Sequence, residues 1–278
     1  MRLIRARVTN FKSIDDSGWV TLDNVTCMVG KNESGKTAFL QALLRINPVS
    51  GTKAGFDLRD YPRKGYVRYK RRHNEEPATV VQAEFELTEP EVEELESEFG
   101  KGVLRSRTVG VSRNYKNEMT WTVDVDESAV VRSVIRSAAL PLEIQRYAGD
   151  SDTWEELTTR LESLEARPPN AQQLLDLLKR RFETGVKQQI IENHLKRYLP
   201  VFVYIDNYSA MRGRISIQDI KRKSFNPAGV DESDRIFLAL LKLVGADLND
   251  LESESNYEYL KAELESASIG ISDEIFEF

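Results

Sequence analysis

Apolar and polar positions alternate in short runs over the first half of the chain, which is the period of a strand with one buried face. The clearest run places Val81, Ala83, Phe85 and Leu87 on one side. The runs predict strands at residues 2–8, 19–22, 78–87, 103–115 and 119–125, the last two forming a hairpin. Between them, Thr88 begins a short helix with a capping box and Gly100 ends it.

From residue 127 onward the apolar period lengthens to that of helices. The pattern predicts helices at residues 127–139, 153–166, 171–198, 231–244 and 258–266, with one strand at 201–206. The helix at 171–198 is long and amphipathic, although Gly185 weakens its middle, and it suits helix packing or a coiled-coil arm. We therefore expect three regions, 1–126, 127–199 and 200–278, of which the last ends as if cut in mid-element.

A short apolar run at residues 25–29 predicts a buried strand that leads into a glycine-rich loop and then a helix. The loop, which fits G-x-x-x-x-G-K-[ST], consists of Gly30, Lys31, Asn32, Glu33, Ser34, Gly35, Lys36 and Thr37. The backbone N–H groups of this loop can surround a phosphate. The first turn of the following helix, which includes Ala38, presents its positive N-terminus to the same phosphate. Lys36 would reach the β- and γ-phosphates and the Thr37 hydroxyl would hold Mg²⁺, so this P-loop predicts nucleotide binding.

The bulk composition is that of a soluble globular protein, with 40% hydrophobic and 30% charged residues in 278. The sequence contains no run of 18 apolar residues and no signal-peptide core at its start, so we expect no membrane contact. The single cysteine, Cys27, fits a reducing cytoplasm and is predicted to be a small buried residue of the strand at 25–29.

The net charge of −6 opposes a chain that coats nucleic acid, but the charge is unevenly distributed. One basic stretch, which also holds two tyrosines, contains Arg63, Lys64, Arg68, Lys70, Arg71 and Arg72. A second contains Arg212, Arg214, Lys221, Arg222 and Lys223. Cations interleaved with aromatic residues suit a nucleic-acid backbone and its bases, whereas the alternative is a solvated loop balanced by acidic residues 89–98.

The opening of the chain resembles the N-terminal lobe of ABC-type ATPases of the SMC, RecF and OLD (overcoming lysogenization defect) group. Asn10, Phe11, Lys12 and Ser13 stand about twenty residues before the P-loop, and Asn32 is the third loop residue, as in that group. The resemblance implies an α/β fold in which a mixed β-sheet surrounds the P-loop helix. It also implies that a helical or coiled-coil insertion follows this lobe. It also implies ATP and Mg²⁺ as ligands, with Lys12 and Ser13 approaching the nucleotide.

Within the group, the strand at 201–206 and the helices after it look most like OLD-type ATPases, which implies a bacterial or phage-defence setting. Full OLD chains continue into the second half of the ATPase, and many end in a TOPRIM nuclease domain. The resemblance also implies a homodimer or higher oligomer, because ATP in this group is held between the P-loop of one subunit and the signature motif of another.

Several motifs of this group are missing from the sequence, namely the LSGG-like signature, the Walker B motif and the switch histidine. Asp206 ends an apolar strand as a Walker B aspartate would, but Asn207 replaces the catalytic carboxylate, so Asp206 is either a strand-end residue or a magnesium ligand. Gln82 is the only candidate for the Q-loop glutamine, and the alternative is an ordinary strand residue. Asp124 and Asp126 imitate a TOPRIM metal motif but fit the end of a hairpin better.

A P-loop without these partners is expected to bind ATP but to hydrolyse it poorly, because phosphoryl transfer needs positioning and charge stabilisation from all parts together. The rest of the site would come from a longer chain or from a partner protein. The first hypothesis is an OLD-like ATPase whose ATP controls dimer engagement and a DNA-acting nuclease module outside this chain.

Two other hypotheses remain, an SMC/RecF-type DNA-repair ATPase and a non-hydrolysing nucleotide-sensing regulatory module. A small-molecule kinase is disfavoured, because such enzymes lack the two strands before the loop and the helical insertion. ATP is preferred over GTP because of the resemblance, and no Asn-Lys-x-Asp guanine motif occurs.

Overall fold

The computed structural model describes residues 1–31, 34–49, 54–204, 215–224, 230–243, 265, 266 and 269. Two loop residues, Asn32 and Glu33, lie outside these ranges, as do Asp206 and Asn207 of the candidate Walker B segment and most of the helix predicted at 258–266. No helix within the described ranges is both long and apolar enough to cross a lipid bilayer.

An antiparallel sheet forms the first half of the chain. Its strands are β1 (Arg2–Phe11), β2 (Ile14–Asp16), β3 (Val20–Thr21), β4 (Thr79–Glu86), β5 (Thr108–Asn114) and β6 (Met119–Thr122). They lie in the order β2-β1-β4-β5-β6, with β3 also paired to β1. The predicted face of β4 is confirmed, because Val81, Ala83 and Phe85 are all buried. The predicted β5–β6 hairpin is also confirmed.

Eleven helices are described. They are α1 (Lys36–Leu44), α2 (Tyr66–Arg72), α3 (Glu89–Phe99), α4 (Glu127–Ser137), α5 (Leu142–Gly149), α6 (Trp154–Glu162), α7 (Pro169–Arg181), α8 (Val186–Ile190), α9 (Lys196–Tyr198), α10 (Ile217–Ser224) and α11 (Glu232–Leu243). The predicted starts and ends of α1, α3, α4, α6 and α11 agree with the structure to within a few residues. The capping box at Thr88 forms as expected. The sequence patterns did not predict α2, α5 and α10.

The P-loop helix α1 lies against the buried face of the sheet. Its inward residues, Ala38, Phe39, Ala42 and Leu43, belong to the same hydrophobic cluster as the apolar side chains of β1 and β4. Apolar spacing of three and four residues produces this single buried stripe. The sheet therefore fixes the direction in which α1 presents its N-terminus.

The prediction of one long helix at residues 171–198 is wrong. The chain leaves the helix after Arg181, turns at Gly185 with φ of 87°, and resumes as α8, a π-helical turn (Ile191–Leu195) and α9. A positive φ at glycine permits this turn without the cost that a Cβ would add. The pieces fold back so that Leu178, Phe182 and Leu195 are fully buried in the shared core. No coiled-coil arm projects from this part of the chain.

The buried strand predicted at residues 25–29 is also wrong. This segment pairs with no described strand, and Val25 and Val29 are 71% and 90% exposed. Cys27 is exposed as well, contrary to the prediction that it is buried. A strand needs neighbours to accept its backbone hydrogen bonds, and apolar composition by itself does not supply them.

The expectation of a mixed sheet is corrected for the described residues, in which every strand ladder is antiparallel. A single isolated bridge, between Pro48 and Phe202, is parallel. It joins the end of the P-loop helix region to the segment that follows α9. The chain after the helical region thus returns to the vicinity of α1.

Candidate nucleotide-binding site

The P-loop turns into α1 at Gly35, which has a φ of 90°. A Cβ at this position would lie 2.8 Å from Cγ1 of Ile14, closer than side chains tolerate. Only glycine therefore allows the loop to pass this close to β2 while adopting a left-handed backbone. The amide groups at the start of α1 are left free of helical partners, as at every helix N-terminus.

Lys36 extends back over the loop that precedes it. Its Nζ donates hydrogen bonds to the carbonyl oxygens of Gly30 and Lys31, at 2.7 and 2.8 Å. These acceptors are neutral, and among the described residues no carboxylate pairs with this ammonium group. A phosphate placed at the N-terminus of α1 would meet this charge together with the helix dipole.

An open pocket of about 500 Å³ lies beside the N-terminus of α1. It is lined by Lys12, Ser13, Gly35, Lys36, Thr37, Ala38 and Gln41. The fold thus brings Gly35, Lys36, Thr37 and Ala38 of the predicted P-loop set together with Lys12 and Ser13, across a gap of about twenty residues in sequence. Gly30, Lys31 and Ser34 do not line this pocket. The described lining residues supply two ammonium groups and two hydroxyl groups but no carboxylate, which suits a polyphosphate.

Lys12 enters the pocket from the turn between β1 and β2. It adopts a φ of 53°, which is uncommon for a residue with a side chain. Its backbone N–H donates to the carbonyl oxygen of Asp60 at 2.6 Å, and its Nζ contacts Oε1 of Gln41 on α1. The strained backbone is therefore held by contacts on both sides, and such strain tends to occur at functional positions.

A partly buried ion pair and a tyrosine also stabilise the turn between β1 and β2. Arg45, at the end of α1, donates to the Asp60 carboxylate at 2.8 Å and lies over the ring of Phe11. The hydroxyl of Tyr115 donates to the carbonyl oxygen of Asn10 at 2.5 Å. Burial raises the pKa of Tyr115 well above its usual range, so this hydroxyl stays a donor at physiological pH.

The structure does not bring Gln82 to this pocket. Gln82 lies in the middle of β4, paired with Arg7 and Ser112, and its side chain alternates with the buried residues that face α1. It lines a groove with Trp19 on the opposite face of the sheet. Gln82 thus occupies a mid-strand position away from the pocket beside α1.

The two aspartates of the imitation TOPRIM motif lie at the end of the hairpin, as expected. Asp126 caps α4 by accepting from the backbone N–H of Ser128 at 3.2 Å. Within the described ranges, no group of three metal-ligating side chains is found. The other metal candidate, Asp206, lies outside the described residues.

Gln41 and the pair Arg45–Asp60 are features of the site that the sequence patterns did not identify. Gln41 stands four residues after Thr37, so helical spacing alone places both side chains on one face of α1 and could have drawn attention to it. The pairing of Arg45 with Asp60 joins two segments through a tertiary contact and leaves no local signal in the sequence.

Comparison with known protein families gives one match. The model of a family described as an AAA ATPase domain matches residues 1–234, which include the sheet, the P-loop and the helices that pack against them. No curated protein matches the chain.

Proposed function

The chain belongs to the AAA ATPase domain family, and from that premise we propose that it binds ATP with Mg²⁺ in the pocket beside α1. The observation that carries the proposal is the convergence of Lys12, Lys36 and Thr37 on one pocket whose described lining contains no carboxylate. Three phosphates carry several negative charges, and uncompensated ammonium groups beside a helix N-terminus are suited to bind them.

Four side chains of the pocket have distinct roles in this proposal. Lys36 would exchange its carbonyl acceptors for the β- and γ-phosphates, and Lys12 would approach the phosphates from the β1–β2 turn. The Thr37 hydroxyl would hold Mg²⁺, which neutralises part of the phosphate charge when it is bound. Gln41 would keep Lys12 over the pocket in the absence of nucleotide.

We further propose that the chain is the ATP-binding region of an OLD-like protein, in which ATP controls the engagement of two subunits. The motif from Asn10 to Ser13 and the placement of Lys12 in the pocket support this relation. The pocket has a P-loop but no described carboxylate to orient an attacking water, so hydrolysis would require residues from a partner or from elsewhere in the chain. A DNA-acting module, in this proposal a nuclease, would lie outside this chain.

The rival hypotheses differ in their support. An SMC/RecF-type ATPase with a coiled coil rooted at residues 171–198 loses its main argument, because the chain turns at Gly185 and packs into the core. A nucleotide sensor that does not hydrolyse ATP gains support from the absence of a carboxylate among the described pocket residues. Turnover measurements separate this sensor from an ATPase.

The first test compares the native chain with Lys36→Ala for ATP binding and turnover. We expect Mg²⁺-dependent ATP binding that weakens by about tenfold or more in the variant, since a charged hydrogen bond to phosphate contributes about 1.5–3 kcal/mol. Lys101→Ala removes an exposed ammonium from a turn that follows α3, and it serves as the control that should bind normally. Calorimetry measures binding, and phosphate release measures turnover.

Turnover should also depend on protein concentration. If two subunits form the site, the rate per chain should rise with concentration, and ATP should shift sedimentation toward a dimer. A high rate per chain that is independent of concentration would mean that one chain holds a complete site, and Asp206→Ala would then be the next variant. Absence of ATP binding by the native chain would contradict the proposal.

A further inference from the structure

The basic stretch at residues 63–72 folds into a turn followed by α2, a helix that the sequence patterns did not predict. One residue of this helix, Tyr69, anchors it in the core. The Tyr69 ring stacks on Tyr61 with centroids 4.1 Å apart, and its hydroxyl accepts from the backbone N–H of Ala78 at 2.8 Å. The helix is thus fixed on the body that carries the nucleotide pocket.

Because Tyr69 faces the core, the cations of α2 face the solvent. With about 100° between successive helical residues, Arg68, Lys70 and Arg71 lie on the sides and back of the helix relative to Tyr69, and all three are exposed. Arg63 and Lys64 are exposed in the turn that immediately precedes the helix. We call Arg63, Lys64, Arg68, Lys70 and Arg71 the α2 cationic face.

These charges lack acidic partners in the described part of the chain. Arg72 alone in this stretch forms an ion pair there, with Glu76 at 3.7 Å. By contrast, the second basic stretch is already engaged where it is described, since Arg222 pairs with Asp219 and Lys223 with Asp234. Lys221 is engaged as well, and the two remaining cations, Arg212 and Arg214, lie outside the described residues.

An unpaired cluster of this kind opposes folding. Arg68 and Arg71 are three residues apart on one helix, a spacing at which like charges repel. The fold maintains this repulsion with a rigid, tyrosine-anchored helix. A polyanionic ligand would relieve the repulsion between these cations. Ligand binding therefore accounts for a cluster that does not stabilise the fold.

We propose that the α2 cationic face binds the phosphate backbone of a nucleic acid. This goes beyond the proposed function, in which the DNA-acting module lies outside the chain. Arg68 and Arg71 lie about 4.5 Å apart along the helix axis and about 60° apart around it, so both can reach neighbouring phosphates of one backbone. A backbone read in this way carries no sequence information, and binding should be insensitive to base sequence.

The alternative polyanions fit the same face less well. A helix that lies on an anionic membrane inserts a broad apolar face, but the large apolar side chain of α2, Tyr69, is buried in the protein. Tyr66 packs partly against the same core, and Val67, 67% exposed, is left to enter the lipid. The face consists of charge without apolar anchors, which is typical of sequence-independent contacts to nucleic-acid backbones.

The test measures fluorescence anisotropy of a labelled 20-base-pair DNA duplex, and of one of its strands, with the chain in the absence of nucleotide. The variant Arg68→Glu/Arg71→Glu reverses two charges of the face. The matched control, Arg180→Glu/Lys187→Glu, reverses two exposed charges on α7 and α8 that have no ion pair among the described residues. Thermal unfolding and circular dichroism check that both variants fold.

We expect the α2 variant to bind about tenfold or more weakly, and the slope of log K against log salt to decrease in magnitude by about 2. The control should bind nearly as the native chain does. ATP binding should be the same in all three proteins, because none of the changed residues lines the nucleotide pocket. Lys36→Ala should lose ATP binding and keep DNA binding, so the two proposals can fail separately.

Four results would overturn the inference. These are no DNA binding by the native chain, equal losses in the two variants, no loss in the α2 variant, and stronger α2-dependent binding to vesicles of phosphatidylserine than to DNA. Equal losses would indicate diffuse electrostatic attraction. The vesicle result would identify the face as a membrane contact.

Discussion

At the scale of single residues, the pocket depends on two residues with positive φ angles, which are uncommon for residues other than glycine. Gly35 has a φ of 90° and Lys12 a φ of 53°. Glycine adopts such angles freely, whereas Lys12 is held there by its hydrogen bond to Asp60. The loop and the turn thereby approach each other closely enough to form one pocket.

Gly35→Ala should therefore destabilise the chain and weaken ATP binding by about tenfold or more. The left-handed backbone costs an alanine about 1 kcal/mol, and the contact with Ile14 adds to this or moves the loop. Gly18→Ala is the matched control, because Gly18 also has a positive φ, 63°, but has open space around it. Urea unfolding and calorimetry with ATP measure both effects.

Adding Ile14→Ala to the Gly35 variant separates the two causes. Partial recovery of ATP binding in the double variant would attribute the loss to crowding. Equal ATP binding by Gly35→Ala and the native chain would show that the close approach to β2 is unimportant.

At the scale of elements, α3 joins the sheet half of the chain to the helices that follow. Arg181, at the end of α7, donates to the Glu98 carboxylate at 2.9 Å. From α9, Arg197 contacts Glu94, and the Tyr198 hydroxyl donates to the same carboxylate at 2.7 Å. These contacts hold the broken helical segment against α3, where a continuous helix would extend away from it.

The Tyr198–Glu94 contact should make stability fall at high pH. Burial and the hydrogen bond to Glu94 raise the pKa of Tyr198 from 10.0 to about 12. The protonated hydroxyl is favoured in the folded state, so its contribution is complete below pH 10 and is lost as pH rises through 12. Tyr198→Phe should cost about 1 kcal/mol at pH 8, because a partly exposed hydrogen bond is weakened by solvent.

Urea unfolding at several pH values provides the measurement. Between pH 10 and 12, Tyr198→Phe should lose less stability than the native chain, since it lacks the titrating group. The other tyrosines are common to both proteins and cancel in the difference. Parallel stability curves over this range would show that Tyr198 does not contribute in this way.

At the scale of the whole molecule, one hydrophobic cluster connects the sheet, α1 and the helices of residues 127–199. Buried residues of β4 and β5, such as Phe85 and Val111, belong to the same cluster as Phe182 and Leu195. A shared core predicts cooperative unfolding of both halves. The boundaries at residues 126 and 199 stay predictions about sequence character.

Phe182→Ala should lower the free energy of unfolding by about 3–5 kcal/mol, because the side chain is fully buried. Leu177→Ala, in α7 shortly before Phe182 but 36% exposed, should cost much less. Fluorescence from Trp121 in the sheet and from Trp154 in α6, each observed in a variant without the other tryptophans, reports the two halves separately. Both transitions should move together in Phe182→Ala.

A shift of the Trp154 transition alone would mean that the helices fold as an independent unit. Denaturant titration at a single temperature suffices to distinguish the two cases.

The sequence by itself determined the parts of this protein that depend on neighbouring residues. The glycines, Lys36 and Thr37 of the P-loop, the α1 stripe, the alternation along β4 and the Thr88 cap are all local patterns, and each is found in the structure at the predicted place. The family match agrees with the nucleotide-binding function that these residues predicted.

The tertiary structure alone decided what depends on contacts between distant residues. It turned the chain at Gly185, placed Gln82 on the face away from α1, left residues 25–29 unpaired and brought Lys12 to Gln41. A sequence pattern shows which face of an element is apolar, but not which element covers it. Burial and pairing are settled by the whole fold, because their free energy comes from surfaces that meet only there.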